Sequence, residues 1–330
     1  MTTSRFLRRL GFLMVLAALS VSMALPALAL FDREEASGEG APIAEAFSLT
    51  TYRDVAVSGT FSGVDPQGEA LTFRVTKNPT RGSVTLAEEG SARFTYTPYE
   101  NKTGKDSFSY VAVDQAGNVS QPAEVSVKIE KPRTDVTYAD MAGHPAHKAA
   151  ITLAEEGIFV GEQMGETWFF RPDTKVTREE FLAMAMDLVD LDALPEGVTT
   201  GFADEDSISV WARPYVASAF QAGMVQGTGT QAGGTTFDPG RTITGTEAAV
   251  LLDRLLQVSD VADTGALEEG AAPAWAWQSV VNLEAVGVLT PENDGSLPIT
   301  GELTRGQAAE MLQSAIEVLD FRKNFGKLNL

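Results

Sequence analysis

Cysteine is absent from this chain, and histidine occurs only as His144 and His147. The first absence excludes disulfides, thiol catalysis and cysteine-ligated metal. The second leaves little for zinc. The two histidines flank Pro145 at the start of a helical stretch, with no glutamate placed as in the zinc-protease motif. Basic residues are scarce: 25 Lys and Arg stand against 45 Asp and Glu, a formal net charge of −20. That balance argues against a nucleic-acid partner, which needs a basic face. Also missing are a Gly-x-Ser-x-Gly elbow, a phosphate loop and a dinucleotide fingerprint. A carboxylate pair for glycoside cleavage is a pattern that any acid-rich sequence permits, and nothing singles one out here. The expectation is a protein that is not an enzyme and uses no cofactor.

Long apolar runs are missing too, except at the start. Arg5, Arg8 and Arg9 precede an apolar stretch from Leu10 to Leu25, and Ala27-Leu28-Ala29 follows. Residues 1–29 therefore read as a signal peptide cleaved after Ala29. The stretch is short for a membrane span and stops at Pro26. No membrane span is expected after cleavage, so the remaining chain is expected to be secreted. Loss of the three arginines makes it more acidic still. Residues 30–42 (LFDREEASGEGAP) are small, polar and acidic, and read as a flexible leader.

From residue 43 to 131 the apolar period is two. Leu71, Phe73 and Val75 alternate with polar neighbours, as do Phe94 and Tyr96, and Val125, Val127 and Ile129. Turn sequences such as Asp65-Pro66-Gln67-Gly68 and Gln115-Ala116-Gly117-Asn118 separate these runs. Short alternating strands at regular spacing argue a β-sandwich. Residues 132–137 then form a short polar linker.

The rest of the chain repeats itself three times. Each copy has a helical stretch, a glycine, a loop, and a threonine opening a second helical stretch. The copies span residues 138–192, 201–258 and 260–320, with a tail at 321–330. Four residues after Thr177, Thr244 and Thr304 an apolar stripe begins, for example Phe181, Met184, Ala185, Leu188 and Val189. The spacing i, i+3, i+4, i+7, i+8 buries one helix face. Such units cannot bury that face alone and need their siblings. Thr177 with Glu180, Thr244 with Glu247, and Thr304 with Gln307 are spaced as capping boxes. Arg178 and Arg305 follow two of the threonines at the first helical position. Capping does not require a cation there, where it opposes the helix dipole. Removing either arginine is thus expected to leave the melt nearly unchanged. Two readings stand: a surface arginine paired with a local acid, or a fork that joins helix N-terminal amides around a carboxylate or phosphate.

The three copies resemble S-layer homology repeats. Thr177-Arg178 and Thr304-Arg305 match the family's Thr-Arg-Ala-Glu motif. Trp211 and Trp275 match its opening tryptophan, and Asp140 and Asp204 its early aspartate. Phe170–Pro172 and Phe237–Pro239 match its Phe-x-Pro turn. The resemblance implies a pseudo-threefold helical bundle. It also implies non-covalent anchoring to a secondary cell-wall polysaccharide, often pyruvylated, held in grooves by these residues. Departures are plain: Gly245 stands at the second arginine position, Pro145 at the first tryptophan position, and Leu297 and Ile299 in the third turn. One or two competent grooves are expected. Residues 43–131 resemble the cadherin-like, Ig-like domains of bacterial surface proteins. Some of those domains hold calcium, for which Asp65, Glu69 and Asp114 are the candidate ligands here. They are few against the roughly six or more oxygens calcium takes. The fold class implied is all-β plus all-α: an Ig-like sandwich followed by the helical bundle. The function implied is attachment to the cell wall or S-layer. A scaffold that binds other surface proteins is the alternative.

Overall fold

The computed structural model describes residues 40–189, 199–230, 233–259, 261–268, 270–290, 297 and 299–325. The signal peptide and most of the leader lie outside the described residues. The chain divides into two compact units, Met1–Lys131 and Pro132–Leu330.

The first unit is an Ig-like sandwich. Its strands are β1 (Ile43–Ala44), β2 (Phe47–Tyr52), β3 (Val57–Thr60), β4 (Gly63–Val64), β5 (Thr72–Lys77), β6 (Gly82–Leu86), β7 (Arg93–Pro98), β8 (Gly104–Val113) and β9 (Ala123–Glu130). One sheet has the order β2-β9-β8-β5 and the other β3-β7-β6, while β1 and β4 form a small ribbon. The first long strand runs parallel to the last, from Phe47 opposite Val125 to Tyr52 opposite Glu130. The period-two pattern explains the core. In β9, Ala123, Val125, Val127 and Ile129 face inward, and the residues between them face out. Phe61 stacks between Phe94 and Tyr110 at 4.4 and 4.1 Å, and Phe108 meets Phe94 edge-on at 5.5 Å. Each such pair adds about 0.5–1.5 kcal/mol beyond area burial.

Asp106 is a buried charge on the inner face of β8. It shares the inward parity of Phe108 and Tyr110. Its carboxylate accepts the amides of Thr80 (2.9 Å) and Arg81 (2.8 Å) and the hydroxyls of Thr80 (3.0 Å) and Tyr96 (2.8 Å). Burial pushes this carboxyl up, but the four donors outweigh burial and hold it below its ordinary value. The aspartates considered for calcium are engaged otherwise. Asp65 accepts the amides of Gln67 and Glu69 in its own turn. Asp114 accepts the amide and side-chain nitrogen of Asn118 in the next. Glu69 is exposed. The two aspartates are turn clamps.

Besides a 3-10 turn at Glu205–Ser207, the second unit holds six α-helices among the described residues. They are α1 (His147–Glu156), α2 (Arg178–Leu188), α3 (Arg213–Gln221), α4 (Gly245–Leu256), α5 (Trp277–Ala285) and α6 (Arg305–Phe325). α6 extends past residue 320, so the segment read as a tail is helical as far as Phe325. The loops contain hairpins that the repeat pattern did not foretell: β10 (Glu162–Met164) with β11 (Thr167–Phe169), and β12 (Thr228–Thr230) with β13 (Gly234–Thr236). α1 stops at Gly157, whose φ of 72° is left-handed, and α3 and α5 are followed by Gly223 and Gly287 in the same conformation. The stripes are buried, with Phe181, Leu252 and Leu312 at most 1% exposed, except at Val189 and Ile316, their last positions in the first and third copies, which are half-buried.

Packing runs between helix pairs. α2 packs on α3, α4 on α5 and α6 on α1, while α2, α4 and α6 touch one another at the centre. The second helix of each pair thus leans on the first helix of the next, and the last closes on the first.

Candidate functional site

Three short segments meet where α2, α4 and α6 begin. The amide of Val176 donates to the Leu303 carbonyl (3.1 Å), that of Leu303 to Ile243 (2.9 Å), and that of Ile243 back to Val176 (3.0 Å). All three side chains are buried. Each helix start is then seated on the preceding loop of another pair. The Arg178 and Glu179 amides donate to the carbonyls of Arg241 and Pro239, those of Gly245 and Thr246 to Gly301 and Ile299, and those of Arg305 and Gly306 to Thr174 and Pro172. The third amide of each helix reaches the threonine hydroxyl, and Glu180, Glu247 or Gln307 caps the threonine amide in return.

This corrects one sequence expectation. Every amide of the first turn that could have bound an anion beside Arg178 or Arg305 is already paired. Thr177 and Thr304 act as caps. Asp140 and Asp204 clamp turns: Asp140 accepts the amides of Phe170 (2.9 Å) and Arg171 (2.7 Å), and Asp204 those of Phe237 and Asp238 (2.8 Å each). Both clamps hold a residue with φ above 50°, Arg171 and Asp238. Any ligand contact at these helix starts therefore falls to side chains.

The two arginines have different surroundings. Arg305 is buried; its Nη1 donates to the Phe170 carbonyl at 2.9 Å and lies 3.4 Å from Glu162, and its guanidinium sits 5.0 Å from the Phe159 ring centre. It is a structural tie. Arg178 is looser. Its guanidinium lies 5.1 Å from the Phe237 ring centre, and Nη1 is 3.7 Å from Glu247. Its Nε is buried and meets no partner among the described residues. Burial pushes this guanidinium down from its ordinary value, Glu247 opposes that, and the nearby Arg241 and Arg254 add to it.

Arg178 opens on a groove of about 300 Å³. α2 supplies Arg178 and Leu182, and α4 supplies Glu247, Val250, Leu251 and Arg254. The segment Met224–Thr228 forms one wall, Phe237 and Ile243 the floor, and Trp275 the rim. Trp275 and Trp211 are 63% and 51% exposed. Trp275 lines this groove and Trp211 does not. Sequence reading missed Arg254. The signal was available, since Glu247, Val250, Leu251 and Arg254 fall at i, i+3, i+4 and i+7 on one face of α4. Glu247 accepts both Arg241 nitrogens, at 2.6 and 3.0 Å, as well as the Thr244 amide. Burial pushes it up, but these donors and the two arginines outweigh burial and hold it ionised below its ordinary value. A carboxylate so held is poorly suited to act as a general acid. Two guanidinium groups, an exposed indole and an apolar floor suit a sugar with an anionic substituent.

Two family models match the chain. Residues 39–131 match the bacterial cadherin-like domain, and residues 137–182 the S-layer homology domain. The protein thus carries a cadherin-like module followed by an S-layer homology module. It is 30% identical over 127 residues to the surface-layer 125 kDa protein of Lysinibacillus sphaericus, covering 38% of this chain and 10% of that protein. It is 25% identical over 189 residues to an amylopullulanase of Thermoanaerobacterium thermosulfurigenes, covering 56% of this chain and 10% of the enzyme. The chain spans about a tenth of the length of these curated relatives. Among solved structures, it matches an endo-fucoidan hydrolase of glycoside hydrolase family 107 at 24% identity and TM-score 0.25, over 29% of this chain and 14% of that one. It also matches the SrpA adhesin of Streptococcus sanguinis at 16% identity and TM-score 0.22, over 32% of this chain and 68% of the adhesin.

Proposed function

We propose that this is an exported, non-enzymatic surface protein. Its C-terminal unit is a pseudo-threefold bundle of three S-layer homology repeats that holds secondary cell-wall polysaccharide without a covalent bond, and it carries the cadherin-like domain at the wall or S-layer. The groove at Arg178 carries this reading: cationic, aromatic-rimmed and apolar-floored, it lies in a unit whose residues 137–182 match the S-layer homology family. The cyclic seating of three helix starts supports treating the second and third pairs as the same motif. A surface-layer protein and an amylopullulanase each match over only a tenth of their length, as a separable module would.

The second reading is a protein–protein scaffold. It is favoured by the loss of two of three equivalent positions: Gly245 has no side chain, and Arg305 is tied into the fold. Isolated sacculi, incubated with the full chain before and after chemical removal of their secondary polymer, separate the two. Polymer-dependent capture supports the anchor; equal capture, or none, supports the scaffold. N-terminal sequencing of the exported protein should begin at Leu30, and an intact Met1 on the mature protein would refute cleavage after Ala29.

A further inference from the structure

The three helix starts are equivalent in backbone but not in what they can offer a ligand. At Gly245, an added Cβ would lie 2.6 Å from the Ile299 carbonyl oxygen and 2.9 Å from its Cα, so no side chain fits there without moving the backbone. At Arg305, the guanidinium is held by the Phe170 carbonyl and Glu162. Only Arg178 faces a groove with a buried nitrogen unpaired among the described residues.

Arg254 stands on the same groove, two turns along α4 from Glu247. Its Nη1 donates to the Met224 carbonyl at 2.8 Å, which fixes the guanidinium at the rim. The side chain is otherwise exposed, and the ion pairs found among the described residues do not include it. Arg178, Arg241 and Arg254 together face Glu247 and Asp238, so the locality is positive in a chain of net charge −20. Charges beyond about 8 Å are largely screened at physiological salt, so this local excess can act despite the acidic whole. The volume is at the small end of ligand pockets, about 300–1,000 Å³. It suits one sugar residue and its substituent, not a long polymer segment.

We infer that each chain binds its wall polymer at this groove alone, and that Arg254 is the second cation, taking with Arg178 a carboxylate-bearing sugar whose ring lies on Trp275. This rests on the anchoring reading proposed above.

The test uses the full chain and polysaccharide fragments released from the producer's sacculi. Fragments are used native, and after their carboxylates have been reduced to alcohols. Calorimetry should give one site per chain on native fragments. A charge-assisted hydrogen bond lost should weaken native binding by Arg254→Gln about tenfold or more. The same variant should match wild type on reduced fragments, an equality that a merely structural role for Arg254 would not produce. Arg254→Lys should keep part of the preference for native fragments, and Trp211→Ala should bind as wild type. Two or more sites, or an Arg254→Gln protein that keeps the full preference, would overturn the inference while leaving the anchor intact. A wild-type chain that ignores native fragments would instead remove the anchoring reading, and this inference with it.

Discussion

Arg178 and Arg305 open equivalent helices, yet their removal should have unequal consequences for stability. Arg305→Ala strands the Phe170 carbonyl, to which a buried guanidinium now donates at 2.9 Å. A hydrogen bond from a charged donor is worth about 1.5–3 kcal/mol. The contact with Phe159 adds roughly 0.5–2 kcal/mol. The pair with the half-exposed Glu162 adds about 0–1 kcal/mol. A sum near 3 kcal/mol is reasonable for groups that share one guanidinium and do not add fully. Arg178→Ala removes a loose 3.7 Å pair, and Glu247 keeps Arg241. It also removes a buried Nε without a partner, which relieves a desolvation cost. Its net effect should stay within about 1 kcal/mol. At about 2–4 °C per kcal/mol for a unit of this size, the Tm falls should be roughly 6–12 °C for Arg305→Ala and at most about 4 °C for Arg178→Ala. All four tryptophans (Trp168, Trp211, Trp275 and Trp277) lie in the second unit, so a tryptophan-fluorescence melt of the full chain reads that unit alone. Equal shifts for the two variants would refute the assignment of Arg305 as a tie and Arg178 as a binding group.

Further outcomes follow from the same contacts. Asp106 is held below its ordinary value when folded, so it contributes stability above its unfolded pKa, and that stability is lost as pH falls through its folded value. The transition without a tryptophan signal in calorimetry should therefore fall in Tm below about pH 4, and Asp106→Asn should lower it at pH 7 and flatten its acid limb; an unchanged acid limb in the variant would show that other carboxylates carry it. Residues 138–192 alone should be largely unfolded by circular dichroism, because α1 leans on α6 and α2 on α3; a stable monomeric fragment would contradict the shared core. Gly245→Arg, which restores the motif on paper, should lower the tryptophan-monitored Tm and add no second binding site, since its Cβ meets the Ile299 backbone; a gain in sites would show that the loop yields.

Much of this was legible in the sequence because the signals are local. A capping box joins residues three apart, and the stripes and strand parities follow from 3.6 and 2 residues per repeat. The same parity, read without prejudice about charge, marks Asp106 as inward, in step with Phe108 and Tyr110. What could not be read is closure. The amides of Arg178, Gly245 and Arg305 are taken by carbonyls 56 to 131 positions away in the chain, and no local pattern reports them. Those bonds are why a helix start that looked ready for an anion has no amide to give. They also decide which arginine is available. Thr177-Arg178 and Thr304-Arg305 are the same dipeptide, but one guanidinium meets Phe237 and Glu247 from the second pair, while the other meets Phe159, Glu162 and the Phe170 carbonyl from the first. A repeat motif thus names equivalent positions, and the neighbouring repeat determines whether each position binds a ligand, braces the fold or, as at Gly245, simply lets two backbones approach.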